Sequence, residues 1–206
     1  MLNPLRYQIS DYDCGPTSLL NAMAVLFPRE DIPPEMIRNI MLYCLDSYGF
    51  DGVSGKSGTS KAAMMFLTNW MNSYAGTGQL SLQADYLSGS NVYFGQSSYL
   101  NDTLHRGGVV VVRCFYDEWH YILLTGEENR RVYFFDPYYH REPFEDQELT
   151  WDPDPKKVYN TSAPTERFNQ ESLELYHFGP IEEREAVLLF NQKTVLTPEK
   201  TIEYFI

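Results

Sequence analysis

The residue that most directly suggests chemistry in this 206-residue chain is a cysteine at the start of a predicted helix. Cys14 lies in the segment QISDYDCGPTSLLNA, residues 8–22, and the apolar residues after it recur at helical spacing. Pro16 fits a helix only in its first turn, so the helix must begin at or just before Cys14. Because a helix N-terminus favours the thiolate, the nucleophilic form of cysteine, Cys14 is our candidate nucleophile.

The other two cysteines have a different setting. Cys44 lies on the apolar face of a predicted helix, and Cys114 lies in the predicted strand VVVVRCF. Buried cysteines commonly pack as small hydrophobic residues, and we interpret both in that way. Three cysteines without close pairing argue against a disulfide framework and favour a reducing compartment.

A cysteine nucleophile needs a base within hydrogen-bond reach and a third group that orients the base. His120 opens the predicted strand HYILLTG, and Asp136 ends the next predicted strand. If the turn between them is centred near residue 128, an antiparallel hairpin places His120 opposite about Asp136. Taken singly, each residue fits a structural role as well as a catalytic one. His120 is also typical of a sheet edge, and Asp136 is also typical of an Asp-Pro turn. Should the hairpin be wrong, His140 is the replacement base.

Acyl transfer also needs hydrogen-bond donors aimed at the developing oxyanion. Gln8 lies six residues before Cys14, and a loop that folds back would bring its side-chain amide to the nucleophile. A loop glutamine taken alone is typical of solvated surface. Its short distance from Cys14 along the chain is what favours the role of oxyanion donor.

Composition and charge exclude several classes of protein. The net charge is -12, and no stretch concentrates lysine and arginine, so we expect no nucleic-acid partner. Metal-ligand spacings such as CxxC or HxxxH are absent, and we expect neither a metal nor a cofactor. We find no signal peptide at the N-terminus and no membrane-spanning run of apolar residues, and therefore expect a cytoplasmic protein.

The chain-wide pattern changes from helical to extended. Helical spacing predicts helices over 14–27, 34–47, 59–73 and 98–106, with a Gly/Ser loop at 49–58 that we expect to border a cleft. Apolar and aromatic runs predict strands over 109–115, 120–125, 132–135 and 186–190, with weaker alternation at 80–86. We therefore predict a single α+β domain over 1–206, in which residues 138–180 form an irregular excursion between two sheet strands.

The quoted residues resemble those of the C39-like cysteine peptidases of the papain-like superfamily. Gln8, the segment DCGPTSLLN, His120 within WHYILLTG and Asp136 within FDP follow one another in the order found in that family. The resemblance implies a papain-like fold and a stand-alone peptidase domain acting on a peptide or protein substrate. It also implies a triad of Cys14, His120 and Asp136, with Gln8 in the oxyanion hole.

The sequence thus predicts a cysteine peptidase that hydrolyses a peptide or amide bond by nucleophilic acyl transfer. One alternative is an acyl or peptidyl transferase that uses the same triad. Another is a peptide-binding module that keeps the fold without turnover. The substrate, the oligomeric state and the role of residues 138–180 stay open.

Overall fold

The computed structural model describes residues 4–197, which form one antiparallel sheet with helices packed against it. The helices are α1 (Cys14–Leu26), α2 (Pro34–Cys44), α3 (Lys61–Ala75), α4 (Tyr99–His105) and α5 (Thr165–Phe168). The strands are β1 (Leu82–Ser88), β2 (Val109–Tyr116), β3 (Glu118–Glu128), β4 (Arg131–Phe135), β5 (Thr150–Trp151), β6 (Thr161–Pro164) and β7 (Glu185–Asn191). None of the helices in the described range is long and apolar enough to cross a membrane.

The sheet order is β1-β7-β2-β3-β4-β6-β5, so the last strand along the chain pairs between β1 and β2. Successive residues of β2 face opposite sides of the sheet. Val109 and Val111 pack with α1, α2 and α3, whereas Val110 and Val112 join a second core with α4 and α5. Because both faces of β2 are buried, its sequence is a continuous apolar run rather than an alternating one.

The predicted α+β class is confirmed, since a helical N-terminal part packs on an antiparallel sheet. The helix predicted over 34–47 ends earlier, at Cys44, because Leu45 leaves the helical region with φ -89° and ψ 63°. The excursion is less irregular than predicted, because it contains β5, β6 and α5. These elements are two to four residues long, too short for a periodic pattern to reveal them.

The centre of the β3–β4 turn lies between residues 129 and 130, one to two residues later than the predicted position 128. Asn129 and Arg130 have φ of 53° and 62°, as the two central residues of a type I′ turn require. A register shift lies between Leu124 and Gly126, and beyond it Leu123 pairs with Phe135. One further step along β4 therefore places Asp136 across from position 122, diagonal to His120 rather than directly opposite it.

Helix α3 protects the open edge of the sheet. The side chain of Asn72 donates from Nδ2 to the carbonyl of Ala84 at 2.6 Å and accepts from its N–H at 2.9 Å. Ala84 lies on the edge strand β1, whose outer backbone groups have no neighbouring strand. The two bonds fix α3, and with it the loop before the helix, against the sheet.

We expect Asn72→Ala to lower the free energy of unfolding by about 1–2 kcal/mol, because two backbone groups lose their partner. Asn69→Ala is the matched control, since Asn69 lies on the same helix and bonds only to its own helix, at Met65 O. Urea unfolding monitored by circular dichroism measures both variants. Equal effects of the two substitutions would contradict this role of Asn72.

Candidate active site

Cys14 is the first residue of α1, as predicted, and its side chain is 7% exposed. Pro16 lies in the first turn, where its missing N–H interrupts no helical hydrogen bond. Helix α1 packs on β3, and Ser18 Oγ donates to the carbonyl of Tyr121 at 3.0 Å. This contact sets the start of the helix beside the residue that precedes Tyr121, which is His120.

His120 lies between Asp136 and Cys14. Its Nε2 is 2.7 Å from Asp136 Oδ1, and this contact is fully buried. Cys14 lies close enough to the same imidazole to contribute to raising its pKa. Because Nε2 faces the carboxylate, Nδ1 is the nitrogen left for the thiol.

The charges of this group are strongly coupled. Burial alone lowers the pKa of His120, but the charge of Asp136, the hydrogen bond to it and the neighbouring Cys14 raise that pKa to about 10. Burial raises the pKa of the Asp136 carboxyl, yet the charge of His120 and hydrogen bonds from three side chains hold this pKa well below its usual range. Near neutral pH the pair is therefore an imidazolium beside a carboxylate.

Asp136 has more partners than the hairpin predicts. Oδ1 also accepts from the N–H of Tyr138 at 2.8 Å, and Oδ2 accepts from Tyr176 Oη at 2.6 Å and from His140 Nε2 at 3.2 Å. The side chain of Asn160 donates to the carbonyl of Asp136 and accepts from its N–H. The backbone and the carboxylate are thus both fixed.

His140, the replacement base of the sequence analysis, is itself a partner of Asp136. It lies four residues after Asp136 and bonds to the carboxylate oxygen that His120 does not use. The two histidines therefore share one carboxylate and are not alternatives. His105 instead pairs with Glu127 at 2.8 Å, and His177 contacts Ser172 Oγ at 2.9 Å.

Asp13, which the sequence analysis did not single out, organises the loop before Cys14. Its carboxylate accepts from the N–H of Ile9 at 3.0 Å and from both the N–H and the hydroxyl of Ser10 at 2.6 Å. Burial raises the pKa of Asp13, but these hydrogen bonds outweigh it and lower the pKa. The carboxylate therefore holds the loop from residue 9 to residue 13 in a folded-back shape.

Gln8 begins this loop and is tied to the other part of the site. Its N–H donates to the carbonyl of Pro137 at 2.8 Å, next to Asp136. Its side-chain Nε2 donates to Ser10 O at 2.9 Å, and its Oε1 is buried without a partner. Among residues 4–197, no hydrogen bond joins the Gln8 amide directly to the other three predicted site residues.

Cys14 opens on a cleft of about 920 Å³. One wall is the loop 47–60 that precedes α3, as predicted, and the other is formed by β2 and β3. Lys61 from the first wall and Arg113 from the second both contact Glu183 Oε2 at 3.0 Å, so a carboxylate links the two walls. In the described part of the chain, no cluster of histidine, cysteine and acidic residues has the arrangement of a metal site.

No protein-family model and no curated protein matches the chain. The solved structures that resemble its fold include the following two. One is a double glycine motif protease from an AMS/PCAT transporter in complex with the leader peptide, with 14% identity, a TM-score of 0.45 and coverage of 91% of this chain and 89% of the other. The second is the peptidase domain of Streptococcus mutans ComA, with 13% identity, a TM-score of 0.39 and coverage of 91% and 98%.

We expect iodoacetamide to modify Cys14 at neutral pH while Cys44 and Cys114 stay unmodified. The latter two are fully buried, and burial raises the pKa of both thiols, so they stay protonated and inaccessible. Intact-mass measurement of the folded protein should give one adduct, the Cys14→Ala variant none and the urea-unfolded protein three. Modification of the folded Cys14→Ala variant would contradict the distinction between the three thiols.

Proposed function

We propose that this chain is a papain-like cysteine peptidase that hydrolyses a peptide or amide bond through Cys14, His120 and Asp136. The observation that carries the proposal is the placement of His120, whose Nε2 bonds Asp136 at 2.7 Å while the ring interacts with Cys14 at the start of α1. A nucleophile, a base and a group that orients the base are what acyl transfer requires.

In the proposed reaction the Cys14 thiolate attacks the amide carbonyl and forms a tetrahedral intermediate. The backbone N–H of Cys14 and the second N–H of the Gln8 amide, the one not bound to Ser10 O, stabilise its oxyanion. The intermediate collapses as the C–N bond breaks and His120 donates its proton to the leaving amine. His120 then removes a proton from water, which attacks the thioester, and the thiolate and the imidazolium re-form as the acid leaves.

The open cleft supports a peptide or protein as the substrate. It is lined on both sides by charged and aromatic side chains, among them Lys61, Arg113 and Trp119, and Arg113 stacks over the Trp119 ring at 4.2 Å. All three cysteines are free thiols, which supports the reducing, cytoplasmic setting that we propose for the protein.

Incubation of the purified protein with a mixture of unstructured peptides tests this function. We expect new termini, found by mass spectrometry, that depend on Cys14 and disappear in Cys14→Ala. His120→Ala should lower the rate by at least about 100-fold, because the general acid and base is lost. Cys44→Ala is the matched control, since Cys44 is a buried thiol of the helical core and should leave cleavage intact.

A competing amine separates hydrolysis from transfer. Adding a dipeptide amine gives mainly the free acid from a hydrolase and mainly the amide-linked product from a transferase. Predominant transfer to the amine would overturn the hydrolase assignment. Absence of any Cys14-dependent product from the peptide mixture would overturn the catalytic proposal and favour a binding module.

The pH dependence of cleavage should follow His120. Its pKa is raised to about 10, so the imidazolium persists below that pH and the rate should fall as the pH rises through about 10. In Asp136→Asn the opposing charge is lost, while burial and the smaller contribution of Cys14 remain, so the alkaline limb should move to a pH well below 10. Glu127→Gln, which removes the partner of His105, is the control and should leave the limb in place. An unchanged limb in Asp136→Asn would contradict the coupling of His120 to Asp136.

A further inference from the structure

The carboxylate of Asp136 is held by four donors, of which only one belongs to His120. Oδ1 accepts from His120 Nε2 and from the N–H of Tyr138, whereas Oδ2 accepts from Tyr176 Oη and His140 Nε2. The bond from Tyr176 is the shortest of these, at 2.6 Å. A carboxylate bound on both oxygens cannot rotate about its terminal torsion without breaking a bond on each side.

Tyr176 adopts a backbone conformation that bulky residues avoid. Its φ is 63°, in the left-handed region, although it is fully buried and is not a glycine or asparagine. Two backbone bonds impose this conformation: the N–H of Tyr176 donates to Phe115 O at 2.7 Å, and the N–H of Phe115 donates to His177 O at 2.8 Å. Residues with a strained backbone cluster at functional sites, so the contacts of the Tyr176 side chain are a candidate for a functional role.

The side chain of Tyr176 reaches Asp136 from a segment 40 residues away along the chain. Its ring packs against Phe134 with centroids 4.8 Å apart and against Phe144 at 5.9 Å, so the ring has a fixed orientation. The strained backbone and the packed ring together aim a single hydroxyl at Oδ2. A core role alone would be met by phenylalanine, which packs equally well and leaves no polar atom to bury.

We propose that Tyr176 is a positioning residue that fixes the Asp136 carboxylate so that Oδ1 points at His120. The role rests on the proposed peptidase function, in which His120 must keep one orientation between Asp136 and Cys14. Tyr176 is fully buried and does not line the cleft beside Cys14, so we place its effect at the Asp136 carboxylate rather than at the thiol. His140 adds a second and longer bond to the same oxygen, at 3.2 Å.

Several groups besides Asp136 lie near His120 and can influence its pKa. Cys14 lies on one side, and the Tyr116 ring lies 5.5 Å away, centroid to centroid. The Tyr116 ring also contacts the rings of His140 and Tyr176, so a substitution at Tyr176 can alter the packing around His120. Burial and the nearby Asp136 charge raise the pKa of Tyr116 to about 12, so this tyrosine stays neutral over the range in which His120 titrates.

The test is Tyr176→Phe, compared with Tyr86→Phe. Both substitutions remove one hydroxyl that donates to a buried carboxylate, but Tyr86 bonds to Glu185, at 2.8 Å, away from the His120 contact. We measure the pKa of His120 by NMR with isotope-labelled histidine, and kcat and KM with a peptide that the wild-type protein cleaves. The NMR measurement needs no substrate, so it tests the positioning role even if no peptide is cleaved.

If Tyr176 positions Asp136, the pKa of His120 falls by about 1 unit or more in Tyr176→Phe, because the imidazolium loses alignment with its partner. We expect kcat to fall about 10- to 100-fold with KM little changed. If Tyr176 does not position Asp136, the carboxylate keeps its orientation when the Tyr176 hydroxyl is removed. Asp136 then has one donor fewer and becomes a stronger acceptor, which would raise the pKa of His120. A rise, no change, or an equal fall in Tyr86→Phe would overturn the proposal.

A second pair of variants keeps the test decisive if Tyr176→Phe does not fold. His140→Leu removes the other donor to Oδ2, whereas His140→Gln keeps a donor at a similar reach. The pKa of His120 should fall in His140→Leu and return toward the wild-type value in His140→Gln. Equal values in the two variants would overturn the view that donors to Oδ2 orient the carboxylate.

Discussion

The arrangement of the site depends on one buried carboxylate. Moving a carboxylate from water into a protein interior costs several kcal/mol even after relaxation, unless charge and hydrogen bonds compensate for the loss of water. Asp136 is completely buried, and it is compensated by the His120 charge and by donors on both of its oxygens. The hydrogen bonds that offset the cost of burying the Asp136 carboxylate also fix its orientation.

Several segments that are distant along the chain meet at this carboxylate. The hairpin brings His120, the excursion brings Asn160 and Tyr176, and the N-terminal loop is joined through the bond from Gln8 N–H to Pro137 O. Each of these contacts satisfies a backbone or side-chain group that would otherwise be buried without a partner. The site is therefore where the N-terminal loop, the hairpin and the excursion are joined. A change in the excursion reaches His120 through Asp136.

The N-terminal loop contains a second buried carboxylate, Asp13, which acts on the nucleophile side in a comparable way. It immediately precedes Cys14 and bonds to Ile9 and Ser10, so it sets how the chain enters α1. The loop in turn determines where the Gln8 amide lies. Two aspartates thus hold the two elements that the proposed mechanism needs, one beside the thiol and the other beside the imidazole.

The sequence by itself determined the start of α1, the burial of Cys44 and Cys114, and the proximity of His120 to Asp136. These follow from local rules: Pro16 restricts where its helix begins, apolar spacing buries Cys44 and Cys114, and a short hairpin brings its two strands together. The turn lies one to two residues later than predicted, yet His120 is still within reach of Asp136, because diagonal neighbours across a hairpin also meet. Only the tertiary structure decided that His140 and Tyr176 join Asp136 and that Asp13 folds the preceding loop. These contacts link segments without periodicity, often tens of residues apart, whose meeting depends on how the whole chain packs.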